Sequence, residues 1–308
     1  MTKNYIGVDI SKNWIDVFHP IDGNSQIKMI KSELHAFAQT LNENDIIILE
    51  ATGGYEQPLL DILEGHNLYY HRANPARARQ FSQAIGRRAK TDQTDAQTLS
   101  VMGECLDLKP TKPLSEAHKV LKSLITRRRQ LIEMNKQEKT RLKQCQKIDI
   151  QENIKSHSDY LRAQIKMIEQ KITNHIKQTQ LKDKAQLLQS IPGIGPVVAT
   201  TLIAEMPELG QVDRRAIASL AGLAPLSKES GKRQGKRQIG KSRPHVTALM
   251  YLAALQASRR AEAFIAIRKK LEAKGKTPKQ AIIAIARKLI TIANAIIKTN
   301  QMYKVKTL

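Results

Sequence analysis

Over the first third of the chain, apolar residues come in short runs separated by turn residues, the pattern of strands alternating with helices. Tyr5-Ile6-Gly7-Val8-Asp9 reads as a buried strand that closes on an acid. Asp45-Ile46-Ile47-Ile48-Leu49-Glu50 reads as another, ending just before the Gly53-Gly54 turn. Further strand patterns fall at 14–18, 26–30 and 67–72, and helical spacing at 32–41, 55–65, 75–85 and 94–106. Ser32 is placed to cap the first helix and Pro75 to open the third. Short links join the first three strands, which predicts an antiparallel meander; the later two arrive through helices, as parallel crossovers must. Asp16 alternates with Ile15 and Val17 and reads as an exposed strand position. Trp14 reads as core or edge packing, and Glu56 as an acid serving the dipole of its helix.

From about residue 114 to 188 the texture changes: proline and glycine are both absent between Pro113 and Pro192. Leu161, Ile165, Ile168, Ile172 and Ile176 step by fours and threes, a narrow seam of coiled-coil type, and Leu114, Leu121, Leu124 and Leu131 make an earlier stripe. Two long helices joined near 147–152 are predicted, as an antiparallel hairpin or a dimerisation arm. A third region opens at Ile191-Pro192-Gly193-Ile194-Gly195-Pro196, with helical spacing over 197–206. Two readings of that turn stand side by side. It is a helix-hairpin-helix element whose Gly193 and Gly195 let backbone N–H groups meet a phosphate, or a tight turn between packed helices. Helices follow at 244–261 and 277–300, the latter capped by Thr277 with Pro278 behind it. The organisation is three regions, 1–110, 111–188 and 189–308, with no internal repeat.

Composition narrows the partners. The 308 residues carry 51 Lys plus Arg against 28 Asp plus Glu, a formal charge of +23 that points to a polyanion. Arg87, Arg88 and Lys90, with Arg77 and Arg79, form one basic approach. Residues 227–243 hold seven cations, Lys228, Lys232, Arg233, Lys236, Arg237, Lys241 and Arg243, against one Glu, and their glycines predict mobility until a polyanion orders them. Both stretches are expected to bind nucleic acid. Arg127-Arg128-Arg129 is either a solvated helix face or a further phosphate contact, while His71 and His245 read as structural. Aromatics at 4% exclude a protein that reads single strands mainly by stacking. Two cysteines, Cys105 and Cys145, without metal-ligand spacing exclude a disulfide framework or zinc site. No signal-peptide pattern is present, and Arg287 and Lys288 interrupt the last apolar helix, so the expectation is a cytoplasmic protein with no membrane partner.

The candidate chemistry lies in four carboxylates. Asp9 and Glu50 close strands, and Asp92 and Asp95 stand three apart in Lys90-Thr91-Asp92-Gln93-Thr94-Asp95-Ala96, on one face of a helix. Hard oxygen ligands suit Mg²⁺ (or Mn²⁺), and two such ions clamp the attacking and leaving oxygens of a phosphoryl transfer. Thr91 and Thr94 flank the pair as supporting residues. A first strand, a fourth strand and a late helix converging on acids is the ribonuclease H-like order.

Taken together, these pieces resemble the DEDD transposases and DNA invertases of the Piv/MooV type, the insertion-sequence 110 family. The resemblance rests on Gly7-Val8-Asp9-Ile10-Ser11-Lys12, Leu49-Glu50-Ala51-Thr52-Gly53-Gly54-Tyr55, Asn74-Pro75 and Lys90–Ala96. It continues in Ser190-Ile191-Pro192-Gly193-Ile194-Gly195, Ala221-Gly222-Leu223-Ala224-Pro225 and Glu229-Ser230-Gly231. It implies an α/β plus α architecture: a RuvC-like catalytic domain, a coiled-coil arm for oligomerisation into dimers or tetramers, and a mainly helical C-terminal transposase domain. Asp9, Glu50, Asp92 and Asp95 map onto the family's metal-binding catalytic acids, and Ser230 onto its serine nucleophile. The implied substrate is double-stranded DNA, in the nucleoid of a bacterium or archaeon. Insertion-sequence members also use a structured noncoding bridge RNA, whereas invertase members flip a chromosomal segment.

The residues alone leave more open. Lys228, Lys232 and Arg233 would stabilise an alkoxide and a crowded phosphate, but they would serve Ser227 or Ser242 equally; the resemblance alone selects Ser230. The leading reading is a DNA recombinase that works without ATP. Its rivals are a RuvC-like nuclease using metal-activated water, with no covalent intermediate, and a non-catalytic binding protein. Like-charge repulsion among four converging acids disfavours the last.

Overall fold

The structure, a computed structural model, describes residues 3–51, 53–86, 92–226, 229–230, 233–234, 238–240 and 242–304, without the side chains of Asp92, Gln93, Leu226, Glu229, Ser230, Arg233, Gln234 and Gln238. The chain divides into two units, Met1–Pro113 and Leu114–Leu308. In the first, β1 (Asn4–Ile10) pairs antiparallel with β2 (Trp14–His19), and β2 with β3 (Gly23–Lys28). After α1 (Lys31–Thr40), β4 (Asp45–Glu50) lies parallel to β1 on its other side. After α2 (Gln57–Gly65), β5 (Tyr69–Ala73) lies parallel to β4. The five-stranded order β3-β2-β1-β4-β5 is the mixed meander and crossover that the sequence pattern predicts.

The unit closes with α3 (Pro75–Ala84), capped by the Asn74 side chain, and α4 (Asp92–Cys105). Ser32 does not cap α1: the helix starts one residue earlier, Ile30 holds the cap position, and Ser32 lies inside the first turn. Helices cover both faces of the sheet. Ile6, Val8, Ile47 and Leu49 meet α1 and α2 on one side, and Tyr5, Ile46 and Ile48 meet α3 and α4 on the other. Strand positions of both parities are therefore buried, which overturns the exposed reading of Asp16: it is 5% exposed, on the face opposite Ile15 and Val17.

On that face α4 lies in backbone contact with the sheet. A Cβ at Gly7 would stand 1.8 Å from the Ala96 carbonyl oxygen, and one at Gly103 would stand 2.8 Å from both Ile48 Cγ1 and Tyr5 Cδ1. Ser100 Oγ of α4 donates to the Tyr5 carbonyl at 2.5 Å, and Tyr5 OH donates to Asp107, just past the helix, at 2.7 Å. Ala96 faces Gly7 whereas Ser100 and Gly103 face Tyr5, so α4 runs antiparallel to β1. Its N-terminus lies at the C-terminal ends of β1 and β4.

In the second unit, α5 (Glu116–Gln144) and α6 (Ile148–Gln178) form an antiparallel hairpin, turning a few residues before the predicted joint. Arg128 pairs with Glu169 near its root, and farther out the buried Ser158 hydroxyl donates to Asn135 Oδ1 at 2.7 Å. The root shares one core with α7 (Leu181–Gln189), α8 (Pro196–Glu205), α9 (Arg214–Leu220), α10 (Pro244–Arg260), α11 (Glu262–Ala273) and α12 (Pro278–Thr299). α12 opens with a capping box from Thr277 and Gln280. It is long and apolar enough to cross a membrane, but half of that apolar stretch is buried inside this core. Between α9 and α10, β6 (Pro225–Leu226) pairs with β9 (Gln238–Ile239) and β7 (Glu229–Ser230) with β8 (Arg233–Gln234), all antiparallel.

The α4 contact makes a sharp test. Gly7→Ala forces a methyl into a backbone carbonyl that cannot move without shifting a helix, and should cost about 3 kcal/mol or more by urea denaturation. Gly65→Ala, at the end of α2 with open space around it, should be neutral or slightly stabilising. A Gly7→Ala protein as stable as the parent would mean that α4 does not lie this close.

Candidate acidic site and nucleic-acid interface

The first strand and the first crossover strand carry their acids to one level. Val8 pairs with Leu49 in the parallel register, so Asp9 and Glu50, one step on, leave β1 and β4 side by side. By alternation both point to the α4 face, and α4 brings Asp95 to that end, next to the Ala96 that touches Gly7. Asp9, Glu50 and Asp95 are half-buried, and each has a polar partner. Acidic residues at the start of α4 also suit the positive end of its dipole. The donor set is all carboxylate oxygen, the chemistry that fits Mg²⁺ or Mn²⁺. Among the described residues no three acids, histidines or cysteines are grouped so as to hold one ion; Asp92 opens α4, but its side chain lies outside them.

Two neighbours differ from their sequence reading. Asp16 is the direct cross-strand partner of Asp9, buried, and accepts a hydrogen bond from Gln26 Nε2 at 3.0 Å. Glu56 is 2% exposed and does more than serve a dipole: it accepts from the Gly54 N–H at 2.9 Å and pairs with Arg72 of β5. That clamp ties the turn after Glu50 to the neighbouring strand. Arg72 closes the strand pattern at 67–72, and nothing in that pattern signals this role. Of the other residues, Thr94 is half-buried on α4, Trp14 opens the inner strand β2 with the Lys28 ammonium over its ring, and His71 is bonded to the Lys109 carbonyl. Thr91 lies outside the described residues.

In the second unit, Ser230 ends β7 and pairs with Arg233 at the start of β8, so the backbone sets a basic position directly across from the hydroxyl-bearing one. Ser227, Lys228, Gly231, Lys232, Lys236, Arg237 and Lys241 lie outside the described residues, and so does the mobility expected of them. Ser242 is exposed, just before α10. The run Gly235-Lys236-Arg237-Gln238-Ile239-Gly240-Lys241-Ser242 has the spacing of a P-loop, so the expectation of a recombinase without ATP cannot rest on the lack of such a run. Its context is different. Gln238–Ile239 is itself a strand, antiparallel to β6, and the next helix opens only at Pro244. A strand, β8, does end just before Gly235, but a P-loop also needs a helix opening at the Lys-Ser step, and here none does.

The basic residues divide into committed and available cations. Arg128 pairs with Glu169 and Arg129 with Glu205, so these two brace helices instead of offering charge to a phosphate. Arg243 makes a two-pronged pair with Glu208 and anchors the start of α10. Arg77 and Arg79 are exposed on α3; Arg87, Arg88 and Lys90 lie outside the described residues. Gly193 (φ +87°) would place a Cβ 2.4 Å from the Ala253 carbonyl, so what it admits is α10, as the tight-turn reading has it. Gly195 precedes α8 with open space beside it.

Comparison with known proteins bears on both units. A model described as "Transposase IS116/IS110/IS902 family" matches residues 185–268, and an IS110-type DEDD model described as "Transposase" matches residues 6–147. The pilin gene-inverting protein of Moraxella lacunata is 32% identical over 322 aligned positions, 98% of each chain. That of Moraxella bovis is 31% identical over the same span. An uncharacterized 44.8 kDa protein of insertion element IS116 from Streptomyces clavuligerus is 28% identical over 39% of this chain and 31% of its own.

The Arg243–Glu208 anchor is testable by pH. Burial pushes the Glu208 carboxyl up, but the hydrogen bonds and charge of Arg243, with Lys122 nearby, outweigh it and hold Glu208 below the usual carboxylate range. A depressed acid stabilises the fold above its unfolded value, near 4.3, and that contribution is lost as pH falls through the folded value. Arg243→Met should therefore lose about 2 kcal/mol near neutral pH, a gap that closes below about pH 4. A gap that stays constant with pH would contradict the anchor.

Proposed function

The chain belongs to the IS116/IS110/IS902 transposase family, enzymes acting on DNA, and we propose that it cuts and rejoins double-stranded DNA with Ser230 as nucleophile and the acids Asp9, Glu50, Asp92 and Asp95 as holders of divalent metal. The observation that carries the reading is the geometry of α4. Its antiparallel run, fixed at Gly7, leaves its acidic N-terminus beside the strand ends that bear Asp9 and Glu50. Bound there, Mg²⁺ or Mn²⁺ supplies charge neutralisation at the phosphate and its leaving oxygen. Ser230 loses its hydroxyl proton and forms an Oγ–P bond as a P–O bond to deoxyribose breaks, and the departing oxygen takes up a proton. Attack by a hydroxyl of the exchanged strand reverses the step and frees the serine. Arg233, across the ribbon, and Lys228 and Lys232 stabilise the crowded phosphate. The α5–α6 hairpin joins copies of the chain, since exchange needs several active sites.

Within this reading the chain is an insertion-sequence transposase whose target is chosen by a structured noncoding RNA. A second reading, a DNA invertase, is favoured by one finding: the pilin gene-inverting proteins align along 98% of the chain. Junction sequencing after expression beside the native flanking DNA separates insertion from inversion.

Ser230→Ala should bind DNA like the parent and leave strands uncut, while Ser227→Ala and Ser242→Ala stay active. Mass spectrometry of a halted reaction should find a nucleotide on the peptide that contains Ser230. An adduct elsewhere overturns the assignment; hydrolysed product with no adduct favours the water-using nuclease.

Asp95→Asn should abolish cleavage with stability unchanged or raised, because the substitution removes repulsion among acids while removing a metal ligand. Full activity in Asp95→Asn with Mg²⁺ as the sole divalent ion would remove Asp95 from the site.

A further inference from the structure

We propose that Asp16 is a positioning residue for the divalent-metal site, an inference that rests on the metal reading of Asp9, Glu50, Asp92 and Asp95. Asp16 sits across the β1–β2 pair from Asp9, and Gln26 sits across β2–β3 from Asp16. With Glu50 one step past Val8↔Leu49, the four residues Gln26, Asp16, Asp9 and Glu50 make a single row across four strands, all on the α4 face. Directly opposed side chains have Cβ atoms roughly 5 Å apart.

Asp16 is 5% exposed, so water screens it little, and the hydrogen bond the structure gives it comes from a neutral amide, Gln26 Nε2 to Oδ1. That bond fixes direction without removing charge: it holds Asp16 toward β3, away from Asp9. A buried carboxylate opposite a second one is unfavourable unless positive charge lies close by. The row thus concentrates negative potential at Asp9 and favours a cation held among Asp9, Glu50 and the start of α4. Asp16 touches no reacting atom; it tightens cation binding through Asp9, as outer-shell groups do at metal sites.

Mn²⁺ binding to the full-length protein, followed by the electron paramagnetic resonance of free Mn²⁺ in the absence of DNA, tests this independently of catalysis. Asp16→Asn keeps the shape and can still accept from Gln26, and it should bind Mn²⁺ about 10- to 100-fold more weakly. Its melting temperature without metal should equal or exceed that of the parent, and the rise on adding Mn²⁺ should shrink. Gln26→Ala keeps the charge and releases the tether, and should show a smaller loss in the same direction. If Asp16→Asn binds Mn²⁺ as the parent does while Asp9→Asn loses binding, Asp16 has no such role and the metal site stands. If the parent and Asp9→Asn bind alike, the metal reading falls and this inference with it.

Discussion

The first unit depends on one close approach, the backbone of α4 against the backbone of β1 at Gly7. Packed elements are ordinarily held apart by their side chains, which keep the axes of two helices roughly 8–10 Å from each other. Here a glycine on the strand and a glycine on the helix remove those side chains, and the Ser100–Tyr5 hydrogen bond locks the gap. Acids on short side chains can share a site only if their backbones are brought near each other. The glycines set the direction of α4 as well as its distance, and direction decides which end of the sheet its acids reach.

Electrostatics divides the cations into two kinds, those held in ion pairs and those left over. Glu56–Arg72 and Glu208–Arg243 are structural, each fastening a turn or a helix start to a neighbouring element. Arg128 and Arg129 do the same along the hairpin root. The net excess of 23 positive charges is what remains once such pairs are formed. Long-range attraction of DNA therefore draws on lysines and arginines that the fold does not need, and salt can screen it without loosening the core.

The central strands β1 and β4 were legible because they are apolar runs that lead to Asp9 and Glu50, and the pattern needs no tertiary knowledge. Asp16 was not, because alternation with Ile15 and Val17 says only that it faces away from them; whether that face meets water depends on α4, far along the chain. The ribbon bearing Ser230 was invisible to periodicity, since a two-residue strand has no period. The choice among Ser227, Ser230 and Ser242 came from family motifs, and local charge could not have supplied it. Arg243 was legible as a cation but not as an anchor, because Glu208 lies 35 residues earlier and nothing local pairs them.

The buried Asn135–Ser158 bond has a consequence for how the hairpin can change in length. At 29 residues, α5 extends about 43 Å, and the polar pair sits well out along it. Deleting one residue from α6 between Glu169 and Ser158 would rotate everything beyond by about 100° and leave Asn135 facing a different side chain. Only matched changes that keep the seam in phase, close to seven residues on each helix, preserve the pairing. The reach of the hairpin is thus quantised, in steps of roughly 10 Å.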